Sequence, residues 1–421
     1  MVMPVLAVSA KNYPDHSAFL VGLAIGGYGL TQALLQIPMG VLSDKIGRKP
    51  IIAGGLIIFA LGSLIAATAD SLTWVVVGRF LQGAGAIAGA IMALAGDLSR
   101  ESQRPKVMAV IGISIGFSFY LALLMGPFIA GKFGLSGIFL ITAILASLCV
   151  FLVLFVVPNV KTIAPKGDTL PITRDLKQLF THPQLARLNI SVLLLHMLIT
   201  LLFVQIPVLL VDLNWPFAKH WQAYLIVLTV SIVGLIGLMA LAKTYKQLVL
   251  QISVGGLAAV FILMIFSQNS LFFLMALICL FFTCFNYLEA NFPAMVSNIS
   301  PAGKKGSAMG VYASFQFFGA FLGGVLSGSI SQYLDSQWVF FLASVICVVW
   351  LWLIKGLRAT NRLKRYTLST NKQTSDSAYQ QLSALEGVVD ITVISDEQVM
   401  YIKADQHFDI QQARLVLNLK D

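Results

Sequence analysis

The chain alternates long apolar runs with short polar turns. Eleven runs reach the length of about 20 predominantly apolar residues that a membrane-spanning helix needs: 18–43, 50–69, 72–97, 107–132, 135–158, 186–212, 217–242, 247–267, 270–297, 306–333 and 336–357. The opening MVMPVLAVSA is about half a span and gives way to the polar KNYPDH. No basic stretch precedes its apolar residues, so it is a poor signal peptide. It reads as the tail of a helix whose beginning lies upstream; the alternative is an eleven-helix protein with a short N-terminal anchor.

The longest polar interruption between spans, 159–185, separates six helices from six when the partial one is counted. Pro165, Gly167 and Pro171 suit a linker that carries one short amphipathic helix. The expected layout is a first six-helix bundle at 1–158, a central loop at 159–185, a second bundle at 186–357 and a tail at 358–421. Six plus six around a central loop implies an internal repeat. DLSRESQRPKVMAVIGISIGF (97–117) and NISPAGKKGSAMGVYASFQFF (298–318) share a basic turn followed by a helix start of Met and small residues, with Met108 and Met309 in the same place. The same offset sets LAKTYKQ against VLSDKIG, so the second half keeps a basic turn and loses the acid.

Beyond 357 the period changes. RYTLS is a weak strand, DSAYQQLSALE a helix with Asp376 at its start, and VVDITVI a half-buried strand in which Val389, Ile391 and Val393 alternate with polar residues. VMYIKA is a further strand and DIQQARLVLN a helix. The order βαββα resembles a ferredoxin-like fold of the heavy-metal-associated type. Metal carriers of that type use a CxxC loop; this tail has no cysteine, and His407 alone is not a site. A metal-free regulatory or docking domain is expected, small enough to be marginal alone.

Composition agrees with a lipid-facing surface: 58% hydrophobic and 11% charged residues, against about 25% charged in a soluble protein. The net charge of +10 lies in short clusters between apolar runs. No basic stripe interleaves with aromatics, which argues against nucleic-acid binding. Lys45, Arg48, Lys49, Arg100, Arg104, Lys106, Lys161, Lys166, Arg174, Lys177, Arg187, Lys243, Lys246, Lys304 and Lys305 occupy one set of turns, against Lys11, Lys132 and Lys219 in the other. The positive-inside rule makes the first set cytoplasmic, and the C-terminus with it. Cys149, Cys279, Cys284 and Cys347 sit in apolar runs without CxxC spacing, so neither a disulfide framework nor a zinc site is indicated. No cofactor is expected. The absence of GxxxxGK[ST] argues against ATP-driven transport, and the spans carry no HExxH or GxSxG, so an enzyme is not expected.

The turn GVLSDKIGRKP (40–50) holds the most informative acid. Glycine serves the tight turn and the cations serve topology, but neither needs an aspartate. A carboxylate at this depth seeks a cation or a helix N-terminus. Arg48 lies four residues beyond Asp44, and Asp97 sits near Arg100 and Arg104 at the same end. Such a cluster suits a latch that holds one conformation and breaks in another.

These residues carry a family resemblance. GVLSDKIGRKP, through Gly40, Asp44, Gly47, Arg48 and Lys49, resembles motif A of the major facilitator superfamily and falls between the second and third helices, where that motif belongs. GRFLQGAG (78–85) is similar to motif B, with Arg79 as its intramembrane arginine. GPFIAG resembles motif C of proton-driven antiporters through Gly126, Pro127 and Gly131, with Ala130 in place of one glycine. The added tail narrows the likeness to YajR-type facilitators of the bacterial inner membrane. The resemblance implies an all-α polytopic membrane protein: two six-helix bundles, the first helix truncated here, plus a small α+β ferredoxin-like domain. It also implies that Asp44 engages the start of the helix near Gly306, while Arg48, Asp97 and Arg100 complete a charge relay favouring the outward-facing state. Arg79 would exchange partners with an acid on the first helix, in a part that this chain does not show.

Ionisable residues inside spans are costly. Glu289 is the only glutamate in a span and shares a stripe with Phe282, Asn286 and Pro293. It takes up a proton or ties helices together. His196 lies near mid-membrane, with Asn189, Thr200 and Phe203 on its face and Gln205 further out. It titrates in the useful range or stays neutral and bonded. Tyr28 and Gln32 line the pathway or bond between helices. This weakly polar, aromatic set suits lipophilic or amphipathic compounds. The expected protein is a monomeric, proton-coupled exporter of the inner membrane, with lipid, protons and a small molecule as partners. The alternative is a sensor whose tail reports ligand state.

Overall fold

The computed structural model describes residues 1–99, 103–158, 181–266, 270–301, 305–357, 364–369, 376–394, 399–404 and 407–417. Among them, nine helical stretches are long and apolar enough to cross a membrane, and two of these run for 50 residues. At 1.5 Å per residue such a run measures about 75 Å, more than twice a bilayer core. Each breaks once, at Gly134 (φ 67°, ψ −172°) and at Tyr245 (φ −122°, ψ 49°). Two spans apiece restore the eleven read from the sequence.

The elements are α1 (Met3–Ser9), α2 (Ala18–Ile46), α3 (Arg48–Ala67), α4 (Leu72–Ala84), α5 (Ala88–Leu98), α6 (Arg104–Phe155), α7 (Pro183–Asp212), α8 (His220–Phe266), α9 (Leu271–Ile299), α10 (Lys305–Ser331) and α11 (Ser336–Lys355). Serine marks several starts: Ser17, Ser71 and Ser270 accept from the backbone N–H of Leu20, Trp74 and Phe273. The run 72–97 is not one helix. It breaks between α4 and α5 because Gly85 meets Gly55 of α3 backbone to backbone, where a Cβ on either would collide with the other's carbonyl. Ala86 accommodates the break with a φ of 22°.

The first bundle closes around Val5 and Leu6 of α1, Ala24 and Ile25 of α2, Val75 of α4 and Phe139 of α6. The second centres on α7, with Leu198 and Leu202 packed among Val254, Phe281, Phe292 and Trp350. Large apolar side chains such as Ile113, Phe155, Phe272 and Trp352 stay exposed, as lipid-facing positions do. From the segment before α2, Asp15 reaches the start of α4, accepting from the backbone N–H of Leu72 (2.6 Å) and Thr73 (2.9 Å) and from the Thr73 hydroxyl (2.7 Å). Desolvation pushes its carboxyl up, but these bonds outweigh it and hold the group below its ordinary value.

The two bundles meet tightly at one end only. Gly22, Gly26 and Gly29 of α2 lie against Phe317, Phe321, Gly324 and Gly328 of α10, and a Cβ on Gly22 would strike the Gly324 carbonyl. Gly131 of α6 approaches Ala218 just before α8 at the same end. At the other end, where Lys45, Arg48 and Lys49 lie, the helices splay. No described side chain is buried from 106 to 122 of α6, whereas Leu123, Gly126, Pro127, Ile129 and Ala130 are. In α8, Ser231 is buried and nothing from 232 to 248 is. A helix with a close neighbour shows a buried stripe; these segments show none. Among the described residues, the bundles are in backbone contact at one end and lack such contact at the basic end.

The tail folds as β1 (Lys364–Ser369), α12 (Asp376–Ser383), β2 (Val388–Ile394), β3 (Val399–Ala404) and α13 (Ile410–Val416). Its three strands are ordered β1-β3-β2, with β3 antiparallel to both neighbours. This is the split βαβ of a ferredoxin-like fold. Leu368, Leu382, Ile391, Met400, Ile402 and Phe408 form its core.

The glycine seam generates a prediction. Gly324→Val places two methyl groups where α2 backbone now lies, and overpacking of this kind costs about 1–3 kcal/mol. We expect thiol reagents to label the closed end faster in this variant, with reduced transport. Unchanged labelling would show that the seam has slack.

Candidate functional site

Three polar constellations lie within the membrane domain. The first is the turn between α2 and α3. Gly47 links the helices with a φ of 108°, which a side chain would strain. Arg48 then opens α3 with its side chain 5% exposed. Its Nη1 lies 2.7 Å from Asp44 Oδ1 and its Nε 2.9 Å from Asp97 Oδ2. Nη1 also donates to Ser43 Oγ at 3.0 Å, and Ser43 Oγ donates to the Gly40 carbonyl at 2.7 Å. The two carboxylates are held unequally. Asp97 is fully buried and hydrogen-bonded to the guanidinium. Asp44 is ion-paired but out of hydrogen-bond alignment. It is therefore the partner that exchanges more cheaply. Lys49 turns away and donates to the Val157 carbonyl at 2.7 Å, capping the far end of α6. Arg100 lies outside the described residues.

The second constellation is Arg79 on α4, which is 9% exposed. Its Nε donates to the Ala24 carbonyl (2.9 Å), its Nη2 to the Ile25 carbonyl (3.4 Å) and its Nη1 to Gln82 Oε1 (2.7 Å). The guanidinium also sits 5.0 Å from the centre of the Tyr28 ring. Each of these partners is uncharged, so the cation is solvated by dipoles and a π face. Gln82 passes the network to Ser63 at 2.7 Å. Gln32 donates to Gln36 at 2.9 Å within α2. Of the motif C residues, Gly126 lies against the backbone of Met1, Pro127 sits inside α6, and Gly131 faces Ala218.

The third joins three helices of the second bundle. His196 of α7 and Glu289 of α9 come together with Gln316 of α10. The Gln316 amide nitrogen is 2.7 Å from His196 Nε2 and 3.4 Å from Glu289 Oε1, while Glu289 Oε2 is 3.7 Å from the same imidazole nitrogen. His196 Nδ1 lies 3.2 Å from the Val192 carbonyl. A carbonyl only accepts, so Nδ1 carries the hydrogen and Nε2 accepts from Gln316. A second proton on Nε2 would displace the amide and turn the ring into a donor toward the carboxylate. Phe285 stacks edge-on to the imidazole at 5.9 Å. Tyr312, one turn before Gln316, is 2% exposed.

The remaining predicted cavity residues divide. Asn286 donates to Ser231 at 3.4 Å, one turn from Glu289. Thr200 is fully buried and bonds back to the His196 carbonyl at 2.9 Å. Phe203 packs between Tyr224 and Phe282, and Gln205 ties α7 to Ser327 and Ser331 of α10 at 2.7 and 2.8 Å. Asn189 is 2% exposed. Phe203, Gln205 and Asn189 stand in helix packing, and Thr200 is tied to the backbone of His196 rather than to its ring. Sequence reasoning missed Gln316. Its signal was a single amide on α10 among glycine, alanine and phenylalanine.

Residues 1–286 and 241–384 match the model of the Major Facilitator Superfamily. The chain belongs to that superfamily, and it is a transporter with a multi-pass membrane fold. It is 38% identical over 421 residues to the Inner membrane transport protein YajR of Escherichia coli, covering 98% of this chain and 93% of the relative. It is also 33% identical over 126 residues to Multidrug resistance protein D of E. coli, covering 30% of this chain and 32% of the relative. Among solved structures, a bacterial homologue of the human lysosomal transporter Spinster, titled inward-facing and unoccupied, superposes with a TM-score of 0.66 at 14% identity over 84% of this chain and 91% of that one. The human organic anion transporter MFSD10 gives 0.60 at 18% identity over 80% and 84%.

The unequal grip on Arg48 predicts what Asp44→Asn does. Removing the charge of one member of a largely buried ion pair leaves the other less well compensated, so we expect a several-fold or larger shift between conformers. Transport should fall while substrate affinity changes little. Equal loss of both would contradict a conformational role.

Proposed function

We propose that this transporter is a proton-coupled exporter of lipophilic or amphipathic small molecules in the bacterial inner membrane, working by alternating access. The observation that carries the reading is the His196–Gln316–Glu289 cluster. It sets an imidazole nitrogen 3.7 Å from a carboxylate, with the Gln316 amide nitrogen in reach of both. The cluster draws on α7, α9 and α10, and α10 also forms the seam with the first bundle. Proton uptake is thereby linked to the helix along which the two halves contact each other.

By the positive-inside rule the basic, open end faces the cytoplasm. The described conformation is then inward-facing, ready to accept a compound from the cell interior or the inner leaflet. In the alternative conformer the basic end closes, and Asp44 turns from Arg48 toward the N-terminal end of α10, where a helix dipole favours an anion. Arg48 remains held by Asp97. The aromatic surroundings of the cluster, Phe285 and Phe282 among them, suit apolar substrate bodies. Relatives named as multidrug resistance proteins support an efflux role. A sensor is the second reading, favoured by the hydrogen bond from Lys403 of the C-terminal domain to the Ser300 carbonyl at the end of α9.

Everted vesicles energised with a proton gradient test the proposal. A panel of lipophilic cations and neutral compounds is added while the gradient is followed by fluorescence. We expect at least one compound to collapse the gradient in the unmodified chain, and Glu289→Gln to abolish that response while retaining compound binding. A response that survives in Glu289→Gln would refute the proton site. A panel that draws no response from the unmodified chain would favour the sensor.

A further inference from the structure

The C-terminal domain shows an anomaly of burial. On β3, Met400, Ile402 and Ala404 point into the small domain's own core. Strand alternation sends Tyr401 and Lys403 to the opposite face, which in a free three-stranded sheet faces water. Yet Tyr401 is 3% exposed and Lys403 5%. The face is covered. Lys403 Nζ donates to the carbonyl of Ser300 at 3.3 Å. Ser300 is the C-cap of α9 and is itself fully buried. Asp390 stands opposite Lys403 in the strand register, supplying a carboxylate on the neighbouring strand.

A lysine is costly to bury, and a helix C-terminus is one of the few neutral groups that repays it. The last carbonyls of a helix lack N–H partners and carry its negative dipole end. α9 is also the helix that bears Glu289, eleven residues before Ser300, or roughly 16 Å along the axis. Pro293 lies between them inside the helix. It has no N–H to give the Glu289 carbonyl four residues back, so the helix is weakened between the transport cluster and the docked end. The linker leaves from a fixed post as well: Arg187 Nη1 and Gln184 Nε2 donate to the Gly356 carbonyl at 2.6 and 3.0 Å, just beyond α11.

We propose that the small domain is a regulatory brace on the second bundle: its sheet docks over the basic end of α9, and Lys403 caps that helix, holding the segment beyond Pro293 in line with the segment that carries Glu289. Undocking frees the end of α9 to bend at Pro293 and alters how α9 meets Gln316 on α10. The docking stands on geometry alone; its consequence for transport rests on the proton reading of the His196–Gln316–Glu289 cluster.

Hydrogen–deuterium exchange of the full chain in lipid nanodiscs tests the brace. Lys403→Met keeps most of the side-chain length and removes the cation; Lys403→Arg keeps the cation. We expect the Met variant to speed exchange across 294–300 by roughly tenfold, to leave 271–288 unchanged, and the Arg variant to behave as the unmodified chain. Strands β2 and β3 report separately whether the small domain stays folded. A domain that unfolds is also undocked, so 294–300 must lose protection in that case too. A chain ending at residue 363 removes the domain outright and must show the same loss. Unchanged protection of 294–300 in either the Met variant or the shortened chain would overturn the proposal. Failure of Glu289→Gln to alter proton coupling, with 294–300 still deprotected here, would leave the brace intact and refute only the proton site.

Discussion

The contact between the backbones of α2 and α10 is the constraint on which the rest of the molecule depends. Lipid tails are as apolar as leucine, so burial of apolar surface gives two membrane helices little reason to associate. Close approach does, and it needs residues without side chains. Gly22, Gly26 and Gly29 supply one face, and Gly324 and Gly328 with the backbone of Phe317 and Phe321 supply the other. This contact joins the two bundles at one end and leaves the other free to splay. It holds by shape rather than by charge, with one hydrogen bond at its end, from the Phe19 N–H to Gln332 Oε1 at 3.3 Å.

Helix α10 connects this seam to the chemistry. At its closed end Ser327 and Ser331 tie it to Gln205 of α7. In its middle Gln316 stands between His196 and Glu289. Its first turn begins at the basic end, on the side of the membrane domain that carries Asp44 and Arg48. One rigid element thus touches the closed seam, the protonatable cluster and the latch end. The two halves also reuse a device. Lys49 caps the end of α6 and Arg187 the end of α11, each by donating to terminal carbonyls. Cations that satisfy topology are also used to finish helices.

Much of this was legible in the chain. All eleven spans follow from apolar length, and both hidden breaks, at Gly134 and Tyr245, fall between expected spans. The order of strands and helices in the tail was readable from the change of period. The break at Gly85–Ile87 was not, because apolarity is continuous there and only the facing Gly55 forces it. Spacing put Arg48 beside Asp44, and the family resemblance implied Asp97 as a further partner; the ion pairs hold all three together. Gln316 was invisible because its importance lies in two partners more than 25 residues away. Thr200 and Phe203 share a helix face with His196, but a face can be buried against protein as easily as against a cavity. Lys403 was invisible for a related reason: its strand pattern is that of a free sheet, and nothing in the strand itself points to the Ser300 carbonyl that it meets.

The most direct test is a distance measured across the basic end. Spin labels at Ile46, which ends α2 with 57% exposure, and at exposed Thr244 before the break in α8 report the gap between the two bundles. The account predicts two populated distances whose balance shifts with pH, and a balance that ceases to respond to pH in Glu289→Gln. A single distance at every pH, or a shift that persists unaltered in Glu289→Gln, would contradict it.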